Sequence, residues 1–217
     1  MIGENLAIVR ARMAAACARA GRDPASVTLV AVSKLQPLEQ VQAALAAGQR
    51  DFGENYAQEL RDKAAALASV ADLRWHAIGP LQTNKAKYVA KVAHAFHALD
   101  RVEIAEALGS RRTVPLDCYL EVNVASEASK SGVTLAEVDA LAAQVRNVPG
   151  IRIVGLMTMP PLEDPAACRA PFRALREAAL RLGLTGLSMG TTHDFEVAIE
   201  EGATVVRVGR SIFGERP

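Results

Sequence analysis

The chain has 217 residues, half of them hydrophobic and 23% charged, with a mean hydropathy of +0.11; intrinsic disorder is excluded and a single domain over residues 1–217 is expected. Lys and Arg number 25 against 24 Asp and Glu, and aromatic residues make up 4%. Neither a bulk field for nucleic acid or anionic lipid nor a stacking platform for single strands is therefore present.

The apolar pattern alternates between helical and extended periods. A helix is predicted over Ile2–Ala20, with Leu6, Val9, Met13 and Cys17 spaced by three and four. Val27–Ser33 is a continuous β-branched run, as in a strand buried on both faces. Helix follows over Pro37–Ala47, strand over Asp51–Gly53 and helix over Tyr56–Ala68. Further strand–helix pairs are predicted at Leu73–Ile78 with Asn84–Val92, Ala93–Leu99 with Arg101–Leu108, and Leu116–Val124 with Leu135–Arg146. Ile151–Met157 pairs with Ala166–Leu182, and Leu187–Ser188 with Phe195–Glu201. Thr204–Val208 is the eighth strand, before a last turn at Ser211–Phe213. Eight such units without a Pro/Gly/Ser-rich linker predict a single (β/α)8 barrel of the TIM type with an extra N-terminal helix. A doubly wound sheet lacks its G-x-G-x-x-G fingerprint after the first strand.

Cys17, Cys118 and Cys168 are odd in number and far apart, which disfavours a disulfide framework or a zinc site. Three reduced thiols in a cytoplasmic protein are expected. Glu4, Arg10, Arg12 and Arg19 interrupt the first apolar stretch, so no leader or spanning helix is expected. His76, His94, His97 and His193 show no metal-binding spacing. His76 is placed to line a pocket, whereas His94 and His97 read as fold or surface residues.

In such a barrel the active site lies at the C-terminal ends of the strands. Lys34 ends the first strand, where a desolvated amine with a lowered pKa forms Schiff bases; a strand-end lysine that snorkels to solvent fits equally. Ser188-Met189-Gly190-Thr191-Thr192 and Gly209-Arg210-Ser211 follow strands seven and eight. Barrels often build a phosphate site from these two loops, although each alone is compatible with ordinary turn chemistry. Arg207 lies inside the last apolar run, where it needs either an acidic partner or a ligand ring nitrogen. A Schiff-base lysine, a phosphate cup and a charged group at a ring nitrogen together describe pyridoxal 5′-phosphate (PLP). Two enzymatic alternatives are a PLP-dependent amino-acid racemase or lyase and a Schiff-base aldolase acting on a phosphorylated sugar.

Six segments carry a family resemblance: Val30–Lys34, Phe52–Tyr56, Trp75–Lys85, Gly155–Pro161, Leu187–Gly190 and Val206–Gly214. In this order they closely resemble the PLP homeostasis proteins of the YggS/PROSC type, from about residue 4 to the C-terminus. The resemblance implies a barrel akin to the N-terminal domain of alanine racemase, with PLP on Lys34. It implies that Ser188, Gly190, Thr192 and the amides around Gly209 and Arg210 take the phosphate. Arg207 then faces the pyridine nitrogen and Asn55 sits beside the ring. The family is described as buffering PLP without established catalysis, with PLP and the apo-enzymes that accept it as partners. Two departures stand out: Thr191-Thr192-His193 replaces the usual loop after strand seven, leaving His193 without a role, and Arg210 stands where Ser or Thr is frequent. Only nine residues follow Val208. The racemases' β-domain and its second base are thus expected to be absent, and a monomer or weak dimer is expected.

Overall fold

Parallel strands buried on both faces must be covered all round, and closing the sheet on itself removes its edges. The computed structural model, which describes residues 1–125, 131–160 and 164–215, takes this solution. Strands β1 (Thr28–Val32), β2 (Asp51–Glu54), β3 (Arg74–Ala77), β4 (Ala95–Leu99), β5 (Leu116–Glu121), β6 (Ile151–Met157), β7 (Gly186–Ser188) and β8 (Val205–Val208) form a closed parallel barrel in sequence order. Closure is made by β1 against β8, with Val30 opposite Arg207 and Ala31 opposite Val208. The loops after β7, β8 and β1 are therefore consecutive around the rim. Lys34, close in sequence to the end of β1, is next to Gly209 around that rim.

The eight predicted strands and their helices are all present, with ends that coincide or differ by at most three residues. The ends differ because cooperative hydrogen bonding, not apolar periodicity, terminates an element. The predicted helix ahead of β4 begins as a 3-10 turn at Thr83–Lys85 before its α-helical part, Ala86–Val92. The helix at Ala166–Leu182 likewise opens with a 3-10 turn before its α-helical part, Arg169–Arg181. Pro161, part of one family-like segment, lies outside the described residues.

The extra helix α1 (Ile2–Arg19) buries Leu6, Val9, Met13, Ala16 and Cys17 on one face. It packs on the helix of the last full unit (Phe195–Glu200), on the C-terminal turn (Arg210–Phe213) and on the helix after β1 (Leu38–Ala46). Arg12 joins this contact: its guanidinium lies 4.7 Å above the Phe195 ring and its Nε bonds Glu196 at 3.0 Å. The helix thus ties the chain's first turn to the segment that carries Gly209 and Arg210. All three cysteines are buried and free, and no helix among the described residues is long and apolar enough to cross a membrane.

Leu6 is fully buried on this helix. Leu6→Ala should lower the unfolding free energy by about 2–5 kcal/mol, the usual cost of a large-to-small core change. Urea unfolding monitored by circular dichroism measures it; a loss within about 0.5 kcal/mol would show that α1 adds little to the barrel.

Candidate functional site

A cavity of about 450 Å³ opens at the C-terminal ends of the strands. Lys34, Asn55, Thr192, Arg207, Gly209 and Arg210 all line it, as do Glu121 and Thr191. Six of the nine residues picked out by sequence therefore share one wall system.

Lys34 stands at the corner of a tight turn. The Gln36 amide donates to the Ser33 carbonyl at 3.0 Å, and Leu35 takes φ +62, a left-handed value unusual for a residue with a side chain. That strain is held from outside the turn. The Leu35 amide donates to Glu59 Oε1 at 2.8 Å, Lys63 Nζ donates to the Ser33 carbonyl at 2.7 Å, and Ser33 Oγ donates to Glu54 Oε1 at 2.6 Å. Lys63 also pairs with Glu54 (2.8 Å) and Glu59 (2.7 Å). Burial pushes the Glu54 carboxyl up to about 7 against the lowering effect of Lys63. Sequence reading missed Glu54, Glu59 and Lys63. Only the i,i+4 pair Glu59–Lys63 leaves a sequence signal, and that pair is indistinguishable from an ordinary surface ion pair.

The loops after β2 and β3 touch so closely that a Cβ on Gly79 would overlap the Asn55 carbonyl oxygen. Gly79 thus lets Asn55 sit at the cavity wall. Gly190 has φ +95, and a Cβ there would lie 2.6 Å from Ala198 Cβ. It is buried and does not line the cavity; its carbonyl accepts from the Arg207 amide at 2.9 Å. Its place is to fix the backbone between β7 and β8. In the loop that follows, Thr191 bonds Asp194 through both its amide and its hydroxyl. His193, left without a role by sequence, meets the Arg210 guanidinium at 2.6 Å from its Nε2.

Arg207 is buried, 6% exposed, and has no ion pair among the described residues. Its Nη1 donates to Ser188 Oγ at 2.6 Å and its Nη2 to the Thr158 carbonyl at 3.1 Å. A guanidinium has five N–H donors, and these two bonds engage two of them. Burial lowers its pKa to about 10, with the charges of Asp194 and Glu121 opposing.

Ser188 and His76, expected to contact a ligand, are not among the residues that line this cavity. Both lie deeper in the barrel, because their side chains are consumed by a buried polar chain. Ser188 Oγ is 2.7 Å from His97 Nδ1, His97 Nε2 is 2.9 Å from His76 Nδ1, and His76 Nε2 is 3.0 Å from Asp51 Oδ1. His97 is fully buried and stacks on Tyr119 with ring centroids 4.5 Å apart. It is a core residue with a specific polar role, which no local pattern announces.

The chain resembles known proteins along its whole length. A family model described as the alanine racemase N-terminal domain matches residues 5–217. The pyridoxal phosphate homeostasis protein of Pseudomonas aeruginosa is 49% identical over 99% of this chain and 96% of its own. That of Escherichia coli K12 is 42% identical over 99% and 97%. PipY of Synechococcus elongatus PCC7942, solved with PLP bound, superposes with a TM-score of 0.86 at 34% identity, covering 99% of this chain and 100% of its own.

Glu121, at the end of β5, has one buried carboxylate oxygen with no hydrogen-bond partner. Burial first, and the charge of Asp100 second, raise its pKa to about 7, against an ordinary value of 4.5. The fold favours the protonated acid, so this group's stabilisation is present below about pH 4.5 and is lost as pH rises through about 7. In Glu121→Gln the fall in unfolding free energy between about pH 5 and about pH 8 should be shallower than in the parent by roughly 1–3 kcal/mol. Equal slopes in urea titrations would show that the carboxyl ionises normally.

Proposed function

Since the chain belongs to the alanine racemase N-terminal domain family and to the pyridoxal phosphate homeostasis proteins, we propose that it binds PLP covalently through Lys34 and keeps the cofactor for the cell rather than turning over a substrate with it. One observation carries this reading: a single cavity is lined by Lys34, by the buried Arg207 with two of its five N–H groups bonded to protein, and by the loops after β7 and β8. An aldehyde on a ring with a nitrogen and a phosphate matches that donor set.

PLP supplies an aldehyde that condenses with a primary amine, and a ring that withdraws electrons when its nitrogen is protonated. Lys34 provides the amine, and its turn, braced by Glu54, Glu59 and Lys63, aims it without a conformational search. Thr191, Thr192 and the backbone around Gly209 and Arg210 present donors to the phosphate, as the first amides of a helix do. The Arg210–His193 contact holds that guanidinium at the rim. Asn55 flanks the ring. Arg207, always charged at neutral pH, keeps the ring nitrogen unprotonated by donating to it, which weakens the electron sink that carbanion chemistry needs.

The tyrosines support a non-catalytic role. Tyr56 is exposed, Tyr88 is covered by Arg61, Lys85 and Lys87, and Tyr119 is stacked on His97 with its hydroxyl pushed up to about 12 by burial. None of the three lines the cavity where a racemase's second base is needed. This reading implies a monomer or weak dimer that holds the cofactor within one subunit, with the apo-enzymes that need PLP as its partners.

Borohydride reduction of the PLP-loaded protein followed by peptide mass spectrometry should place the pyridoxyl group on Lys34, and Lys34→Ala should lose the visible absorbance band while remaining folded. An adduct chiefly on Lys85, or on Lys130, which lies outside the described residues, would sink the assignment. Arg207→Ala should bind PLP roughly tenfold to hundredfold more weakly, matching the loss of a charge-assisted hydrogen bond. Turnover of L- or D-amino acids at about 1 s⁻¹ or faster would identify an enzyme instead.

A further inference from the structure

The polar chain beneath the cavity joins the two ends of the barrel. Its upper end is Arg207, on the cavity wall. Its lower end is Asp51, which lines a second cavity of about 400 Å³ around the starts of β1, β2 and β3 together with Arg74. Arg74 grips the Asp51 carboxylate with two bonds, Nε at 2.8 Å and Nη2 at 2.6 Å. Between the ends, the chain steps from β8 to β7, crosses the interior to β4, and passes through β3 to β2.

The two ends determine where every proton in the chain sits. Burial raises the Asp51 pKa, but the bonds from His76 and Arg74 outweigh it and hold the group at about 2, so its oxygens only accept. Arg207 only donates. His76 must then carry its proton on Nε2, facing Asp51, which leaves Nδ1 as an acceptor. His97 must donate to that acceptor from its own Nε2, which leaves His97 Nδ1 bare. Burial first, with the Arg207 charge added to it, holds His97 far below its ordinary value, so it stays neutral. The Ser188 hydroxyl must donate to His97 Nδ1, and its lone pair is then turned to the Arg207 N–H. Running the chain the other way makes Ser188 Oγ accept from both His97 and Arg207, so its hydroxyl proton has no acceptor in the chain, and it also leaves either a bare His76 nitrogen against an anion or a second proton on His76. Only one direction satisfies every group.

We propose that Asp51, His76, His97 and Ser188 are positioning residues: a one-way chain of hydrogen bonds that orients Arg207 toward the ligand ring and carries the influence of a carboxylate at the far end of the barrel to it. This proposal rests on the reading that Arg207 meets the ring nitrogen. The arrangement holds a buried guanidinium at the cavity on neutral acceptors, the Ser188 hydroxyl and the Thr158 carbonyl, with no ion pair among the described residues. An acidic partner in the cavity itself would occupy the N–H groups meant for the ligand. Polarisation passes along such a chain because each bond strengthens its neighbours in a medium of low dielectric constant.

The test begins with the ligand-free, ¹⁵N-labelled protein. Long-range ¹⁵N–¹H spectra should show both His76 and His97 neutral, with the proton on Nε2. Asp51→Asn should move the His97 ring signals although His97 bonds only His76 and Ser188 in this chain, and Ser188→Ala should shift His97 Nδ1 toward an unbonded acceptor. A proton on His97 Nδ1 in the parent protein, or a His97 spectrum unmoved by both changes, would overturn the chain. With PLP added, both variants should bind about tenfold more weakly and displace the visible band. Parent-like binding and band position in both, while Arg207→Ala is impaired, would overturn the positioning role alone. Parent-like binding in Arg207→Ala would instead remove the reading of Arg207 on which the proposal stands, and the proposal with it.

Discussion

A guanidinium keeps its proton at neutral pH even when buried, so burying one at the mouth of a barrel makes demands on everything around it. Arg207 is met by the Thr158 carbonyl at the end of β6 and by the Ser188 hydroxyl at the end of β7. Its own amide is caught by Gly190, whose backbone is left-handed and whose missing side chain gives Ala198 and Phe195 their room. Three strands and one turn are thereby committed to a single side chain. Removing one partner of a buried charge costs more than the bond is worth, because the remaining group stays desolvated. The packing at the C-terminal ends of β6–β8 is constrained accordingly.

Lys34 is held differently. Its turn stores local strain at Leu35, and strain of this kind persists only where surrounding contacts over-determine it. The bracing comes from Glu54 on β2 and from Glu59 and Lys63 on the next helix, with Glu54 and Lys63 nearly excluded from water. One network thus fixes the turn from below while the rim stays open above. The rigid part of the site, Arg207 with its partners, and the braced part, Lys34 with its turn, meet because β1 pairs with β8. Barrel closure is the step that makes one cavity out of the two ends of the sequence.

Much of this was legible before any coordinates. Apolar runs and amphipathic periods located eight strands and their helices, since a strand buried on both faces and a helix buried on one leave different periods in the chain. The glycines and hydroxyls after β7 and β8 marked the rim loops, and strand ends pointed to Lys34, Asn55 and Arg207. The depth of Ser188 and His76 is not legible in this way, because position along a strand does not reveal how deep a side chain lies or that the two share one buried polar chain. His97 was set aside for the same reason: a histidine in an apolar run has no local signature of its partner.

By itself, then, the sequence determined the kind of barrel, the order of its units and the residue types gathered at its mouth, because these follow from local periodicity and from the fixed relation between strand ends and rim. Which of those residues line the cavity and which lie beneath it was decided by tertiary structure alone. The chain from Asp51 through His76, His97 and Ser188 to Arg207 spans 156 positions and four intervening hydrogen bonds. Contacts across a barrel's interior depend on closure and on the depth of each side chain, and neither quantity is written in any short stretch of the chain.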